Sequence, residues 1–115
     1  MSNLKPITKI PSYSGLYLIG SVYLNQCTNK PLYCVKIGQS KNLERRINQY
    51  YTYNPIFKLI DYIPIDSKNL LKKEKSYHEI LSRRSKWSTG EWFIIEKDTY
   101  FDLIENGFNI LNFTF

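Results

Sequence analysis

The run Val35-Lys36-Ile37-Gly38-Gln39-Ser40-Lys41-Asn42-Leu43-Glu44-Arg45-Arg46-Ile47-Asn48-Gln49-Tyr50 reads as a strand, a turn and a helix. The β-branched Val35 and Ile37 flank Lys36, Gly38 closes the extended run, and Ser40 offers a hydroxyl cap to a helix expected to start at Lys41. At about 100° per helical residue, Leu43, Ile47 and Tyr50 share a narrow apolar stripe, with Arg46 on its edge and Arg45 pointing the opposite way. Arg45 is therefore expected in solvent. Arg46 is expected beside the core, facing what the preceding strand faces, where an arginine usually has an anionic partner.

Upstream, residues 1–14 carry Pro6 and Pro11 without periodicity and read as an extended arm. From Gly15 to Leu24 the residues predict a strand, with Tyr17, Ile19 and Tyr23 on one face and Leu16, Leu18, Val22 and Leu24 on the other. Two apolar faces suit a central strand. Turn chemistry from Asn25 to Pro31 then leads into a second strand, Leu32 to Ile37, as an antiparallel hairpin. Downstream, Ile56 to Ile63 reads as a third strand, and Asp66 as the cap of a long helix reaching about Arg84. Ser85 to Gly90 is expected to be a loop, Trp92 to Ile95 a short strand and Thr99 to Glu105 a short helix broken at Asn106-Gly107. Phe108 to Phe115 would be a last strand or a packed tail. The expected fold class is α+β, a small, mainly antiparallel sheet flanked by helices, in one domain over residues 15–115.

The long helix carries an anomaly. Glu74 falls in the middle of a stripe made by Leu70, Leu71, Tyr77, His78 and Leu81, while Lys68, Lys72, Lys73 and Lys75 crowd the polar face. An unpaired buried carboxylate costs several kcal/mol, so Glu74 requires a cationic, hydrogen-bonding or metal partner on the sheet side.

Composition narrows the partner. The chain has 115 residues, 43% apolar, enough for one modest core, and a formal net charge of +6 with pI near 9.3. Such a charge favours a polyanion, nucleic acid first. No apolar run approaches the roughly 18 residues needed to span a bilayer, and Met1 to Ile10 has no signal-like apolar core. No membrane partner and an intracellular setting are expected. Cys27 and Cys34, the only two cysteines, encode neither a disulfide framework nor a four-ligand zinc site and read as reduced packing residues.

Gly15-Leu16-Tyr17, then Lys36-Ile37-Gly38, then Arg46, then a helical Glu74, then Asn109 in Gly-Phe-Asn, together resemble the GIY-YIG nuclease superfamily. The order and spacing of the five pieces, rather than any single one, make the likeness, which runs through nearly the whole chain. With His78 and the segment Gly90-Glu91-Trp92-Phe93, the chain looks like the phage- and virus-associated subgroup in which lysine replaces the first residue of the second triplet. A viral, phage or bacterial source fits that likeness.

The resemblance implies metal-dependent hydrolysis of DNA, with RNA left open as a substrate. Carried over by position, it implies that Tyr17 helps deprotonate the attacking water, Glu74 holds a single Mg2+ or Mn2+ ion, and Arg46 steadies the scissile phosphate. Two departures matter: the second triplet lacks its tyrosine, and Tyr50 stands where the family often has histidine. Lys36 is expected to lower the Tyr17 pKa from the neighbouring strand or to touch the phosphate itself, and His78 to act as a proton carrier or orienter. Nucleic-acid contacts are expected from Lys41, Arg45, Tyr50, Lys72, Lys75 and Asn109. A bare catalytic domain without an appended reader implies low specificity or a homodimer.

Plainer readings exist for the same residues. Tyr17 could be a core tyrosine, Arg46 and Glu74 a structural salt bridge, and His78 a satisfied core residue. Asn109 could bond only backbone, and Glu91 be a solvated strand residue. On that reading the chain is a weak or inactive nucleic-acid-binding domain of the same fold.

Overall fold

The computed structural model describes residues 10–53 and 57–112, with Tyr53 in its backbone only. Most of the expected arm, the expected strand start at Ile56 and the last three residues lie outside them. The chain runs β1 (Gly15–Asn25), β2 (Lys30–Ser40), α1 (Leu43–Tyr53), β3 (Lys58–Pro64), a 3-10 turn (Ser67–Asn69), α2 (Leu70–Arg84), β4 (Ser85–Thr89), β5 (Trp92–Ile95), α3 (Lys97–Asn106) and α4 (Phe108–Leu111). The fold is α+β, with one five-stranded sheet of order β3-β1-β2-β5-β4 in which every neighbouring pair is antiparallel.

β1 sits between β2 and β3, which explains why both its faces are apolar. Leu16 and Leu18 join Val35 and Ile37 of β2 in a core that α2, α3 and α4 cover with Leu70, Tyr77, Leu81, Tyr100, Leu103, Phe108 and Leu111. Tyr17 and Ile19 face the other way, into a smaller core with Leu43 and Ile47 of α1 and Phe57, Leu59 and Tyr62. The expected alternation holds as far as Gly20. Beyond it Val22, Tyr23 and Leu24 are exposed, because the hairpin outruns the helices.

The hairpin turn is built by asparagine. Asn29 adopts φ 57°, its N–H bonds the Asn25 carbonyl at 2.7 Å, and the Asn25 side chain accepts from the Cys27 N–H at 2.9 Å. Asparagine tolerates the left-handed region and bonds its own backbone, so it suits both positions.

Five sequence expectations need correction. The first helix starts at Leu43, two residues late, because the Asn42 side chain caps it by accepting from the Arg45 N–H at 3.0 Å. Ser40 instead bonds the backbone of Asn42. The N–H groups of Leu43 and Glu44 go to the carbonyls of Tyr13 and Pro11, so the described end of the arm is bound to the domain. Asp66 makes no side-chain cap bond. Ser85–Thr89 is an edge strand, polar because an edge strand can face solvent, and it turns into β5 at Gly90, whose φ of 58° glycine adopts without cost. Phe108–Leu111 packs, with Phe108 and Leu111 buried, but as a helix rather than a strand. Gly107, also at φ 58°, redirects the chain, and the Phe108 N–H donates to the buried Asp61 carboxylate at 3.0 Å.

Candidate functional site

The site follows from the unequal lengths of neighbouring strands. β2 pairs with β1 along its whole length, to Gly15↔Ser40, but with β5 only from Tyr33 to Val35. From Lys36 to Ser40 one edge of β2 therefore has no strand beside it among the described residues. Side chains from both faces of the sheet gather around this bare edge.

On the α1 face the organising contact is between Tyr17 and Gly38, opposite each other on β1 and β2. A Cβ on Gly38 would lie 2.2 Å from the Tyr17 Oη and 2.3 Å from its Cζ, so the glycine is there to let the ring pass. Gly38→Ala should push Tyr17 out of place and cost about 1–3 kcal/mol, as overpacking a core does. Urea unfolding checks this; an unchanged midpoint would show that the ring does not lie on the glycine.

The Tyr17 hydroxyl donates to Tyr50 Oη at 3.3 Å and accepts from Arg46 Nε at 3.4 Å. Lys36 donates to the same Tyr50 oxygen and pairs with Glu91 at 2.7 Å. Two linked hydroxyls, Tyr17 and Tyr50, thus join the cation Arg46 to the cation Lys36, with Glu91 at the end. Arg46 also lies 5.7 Å from the centre of the Tyr50 ring, and Lys36 lies 5.0 Å from it.

The electrostatics overturn one expectation. Lys36 does not partner Tyr17; its ammonium is delivered to Tyr50. Burial, with only 1% of Tyr17 exposed, and donation to Tyr50 push its phenol far above the ordinary tyrosine value, against the opposing pull of Arg46. At neutral pH this hydroxyl keeps its proton. Burial alone would lower the Lys36 pKa, but Glu91 and Tyr50 outweigh it and hold the ammonium above the usual lysine range. Lys36 in turn pulls the Glu91 carboxyl below its usual range. Glu91 is solvated, as the plainer reading had it, with its side chain 70% exposed, but it sits in the β4–β5 turn rather than in a strand and its charge is on Lys36.

On the opposite face α2 supplies the other half. Glu74 is half-buried, and the partner its position requires is the side-chain amide of Gln39, donating to Oε1 at 3.2 Å. Among the described residues no salt bridge joins Arg46 to Glu74, so the structural ion pair does not form. His78, one turn on, places Nε2 2.7 Å from the carbonyl oxygen of Ile37 on the bare edge. A carbonyl can only accept, so Nε2 carries a proton, and in the neutral tautomer the lone pair is the one on Nδ1. The ring lies tilted against Phe93, with centroids 5.7 Å apart.

Gln39 lies where the two halves meet. It holds Glu74 and also borders a hollow of about 290 Å³ lined by Ser40, Lys41, Asn42, Arg45, Arg46 and Gln49. Arg45 is exposed, as expected, but Arg46 is exposed too rather than held beside the core, and both border one cationic hollow. Lys72 and Lys75 are exposed on α2. Asn109 is exposed on α4, its recorded bond being a backbone one from Asn112, and it takes no part in the cluster.

Two residues were missed from sequence. Gln39 was legible, since it shares the face of Val35 and Ile37 one position past the glycine. Asp61 was legible too, as a lone carboxylate within Leu59-Ile60-Asp61-Tyr62-Ile63; its role is structural, accepting from the N–H groups of Tyr62 and Phe108.

No curated protein and no solved structure matches the chain. Residues 17–106, which run from the buried tyrosine of β1 through the arginine, the glutamate and the β4–β5 turn, match the T5orf172 domain, one found in phage and bacterial nuclease-like proteins. The chain belongs to the T5orf172 domain family.

Proposed function

We propose that the chain is a divalent-metal-dependent endonuclease of the GIY-YIG type, acting on DNA phosphodiester bonds. The observation that carries this reading is that Gln39, on the bare strand edge, holds Glu74 of α2 and also borders the cationic hollow that Arg46 of α1 lines from the other face. Membership of a nuclease-associated family supports it.

Glu74 fits a single hard cation. One of its oxygens is fixed by Gln39, and no group of three or more His, Cys, Asp and Glu gathers among the described residues. Such a site suits an ion whose shell is completed by water and substrate phosphate. Bound there, Mg2+ or Mn2+ would polarise the phosphoryl group and acidify a coordinated water.

The chain's own groups then divide the work. Arg46 presents a fixed fork to the phosphate oxygens. Tyr17 is a positioning residue, its hydroxyl holding Arg46 and Tyr50 in place. His78 takes the proton at Nδ1, because the buried, protonated Tyr17 is a poor acceptor at neutral pH. His78→Asn should therefore slow turnover at pH 7 more than Tyr17→Phe does; the reverse order would return the proton to Tyr17.

Supercoiled plasmid tests the function itself. The protein should convert it to open circle with Mg2+ or Mn2+ and leave it intact in EDTA. A folded protein that binds DNA but cuts none in any divalent cation would make the chain a binding domain.

A further inference from the structure

α1 is the only helix among the described residues that packs on its face of the sheet, and it lies over β1 and the Lys36 end of β2, sharing a core with Leu59 and Tyr62 of β3. The same face of β5 and β4 carries aromatic side chains instead. Register fixes their places: Ser21↔Cys34, Cys34↔Ile94 and Ile94↔Trp87 form one row across four strands, with Trp92↔Thr89 beside it next to Lys36. Ile94 and Cys34 are the buried floor. Trp87 stands over it 48% exposed, Tyr23 is 47% exposed, and Trp92 is half-buried against Tyr50's cluster.

A tryptophan half in water, on a sheet face that continues into the Lys36–Tyr50 cluster, can take a flat partner. Trp87 lies two strands from β2, about 10 Å across the sheet, so a chain running from the Arg46 hollow past Lys36 reaches it within a few nucleotides. The net charge of +6 favours an anionic polymer over an apolar peptide.

We propose that Trp87, with Trp92 beside it, is a stacking platform for unpaired bases, so that the substrate carries a single-stranded or frayed stretch next to the cleaved phosphate. This rests on the nuclease reading of the neighbouring cluster. Stacking on aromatic rings reads no sequence, since every base offers a π-face. Duplex bases, already stacked on each other, gain nothing from the platform.

Binding of a labelled oligo-dT and of a duplex of equal length, followed by fluorescence anisotropy in EDTA at several salt concentrations, tests this without catalysis. Trp87→Ala should weaken oligo-dT binding about 10- to 100-fold, with little change for the duplex. The salt slope should stay the same, because no phosphate contact is lost. Trp87→Phe should keep most of the affinity, which separates stacking from a damaged fold. Native-like oligo-dT binding by Trp87→Ala would overturn the platform, as would equal losses on single strand and duplex. Failure of the nuclease reading would look different: plasmid uncut in every divalent cation, with the binding pattern intact.

Discussion

Arg46→Ala should slow DNA cleavage by about 10³-fold or more, the range seen when an arginine that neutralises phosphoryl charge is removed. The side chain bonds only Tyr17 and lies over the Tyr50 ring, with no carboxylate in ion-pair contact among the described residues. Its truncation should leave the fold intact, and the loss should appear in the cleavage step under single turnover. Arg45→Ala is the matched control on the same hollow. It should weaken binding and lower the salt slope by about one, with the saturated cleavage rate nearly unchanged. Equal losses of that rate in both variants would mean that the Tyr17 contact does not single out Arg46.

Glu74→Gln should bring cleavage to the limit of detection at unchanged stability. A glutamine carbonyl can still accept from Gln39, so the contact that holds the side chain survives while the charge that would bind a cation is gone. Thermal melting alongside the cleavage assay checks both halves. Metal-dependent turnover in the folded variant would remove Glu74 from the site.

Much of this arrangement was legible beforehand, and the reasons differ by element. Burial decided what could be read. Leu43 and Ile47 are fully buried, so the phase of α1 could be taken from apolar spacing alone, and Glu74 stood out because it interrupts such a spacing on α2. β4 was not legible: Ser85-Lys86-Trp87-Ser88-Thr89 lies at a sheet edge, where no buried face imposes alternation. The bridge through Tyr50 was hidden for another reason. Which hydroxyl Lys36 reaches depends on how far α1 leans over β2, a distance that periodicity does not encode. The raised Tyr17 pKa follows from the same packing, since the ring that Gly38 admits is sealed by Tyr50 and Arg46.

Gln39 shows how a strand can join two faces. Gly38 passes beneath Tyr17 on one side, and the next residue turns its amide to Glu74 on the other. A short β5 leaves this stretch unpaired, so the trimmed length of Trp92–Ile95 matters as much as any side chain. The proposed cation would be held at Glu74, beside Gln39. Substoichiometric Mn2+ added to the isotope-labelled protein, followed through the broadening of amide NMR signals, tests it most directly. Broadening should begin at Gln39, Ser40, Glu74 and His78 and vanish in Glu74→Gln; broadening centred elsewhere, or unchanged in that variant, would contradict the account.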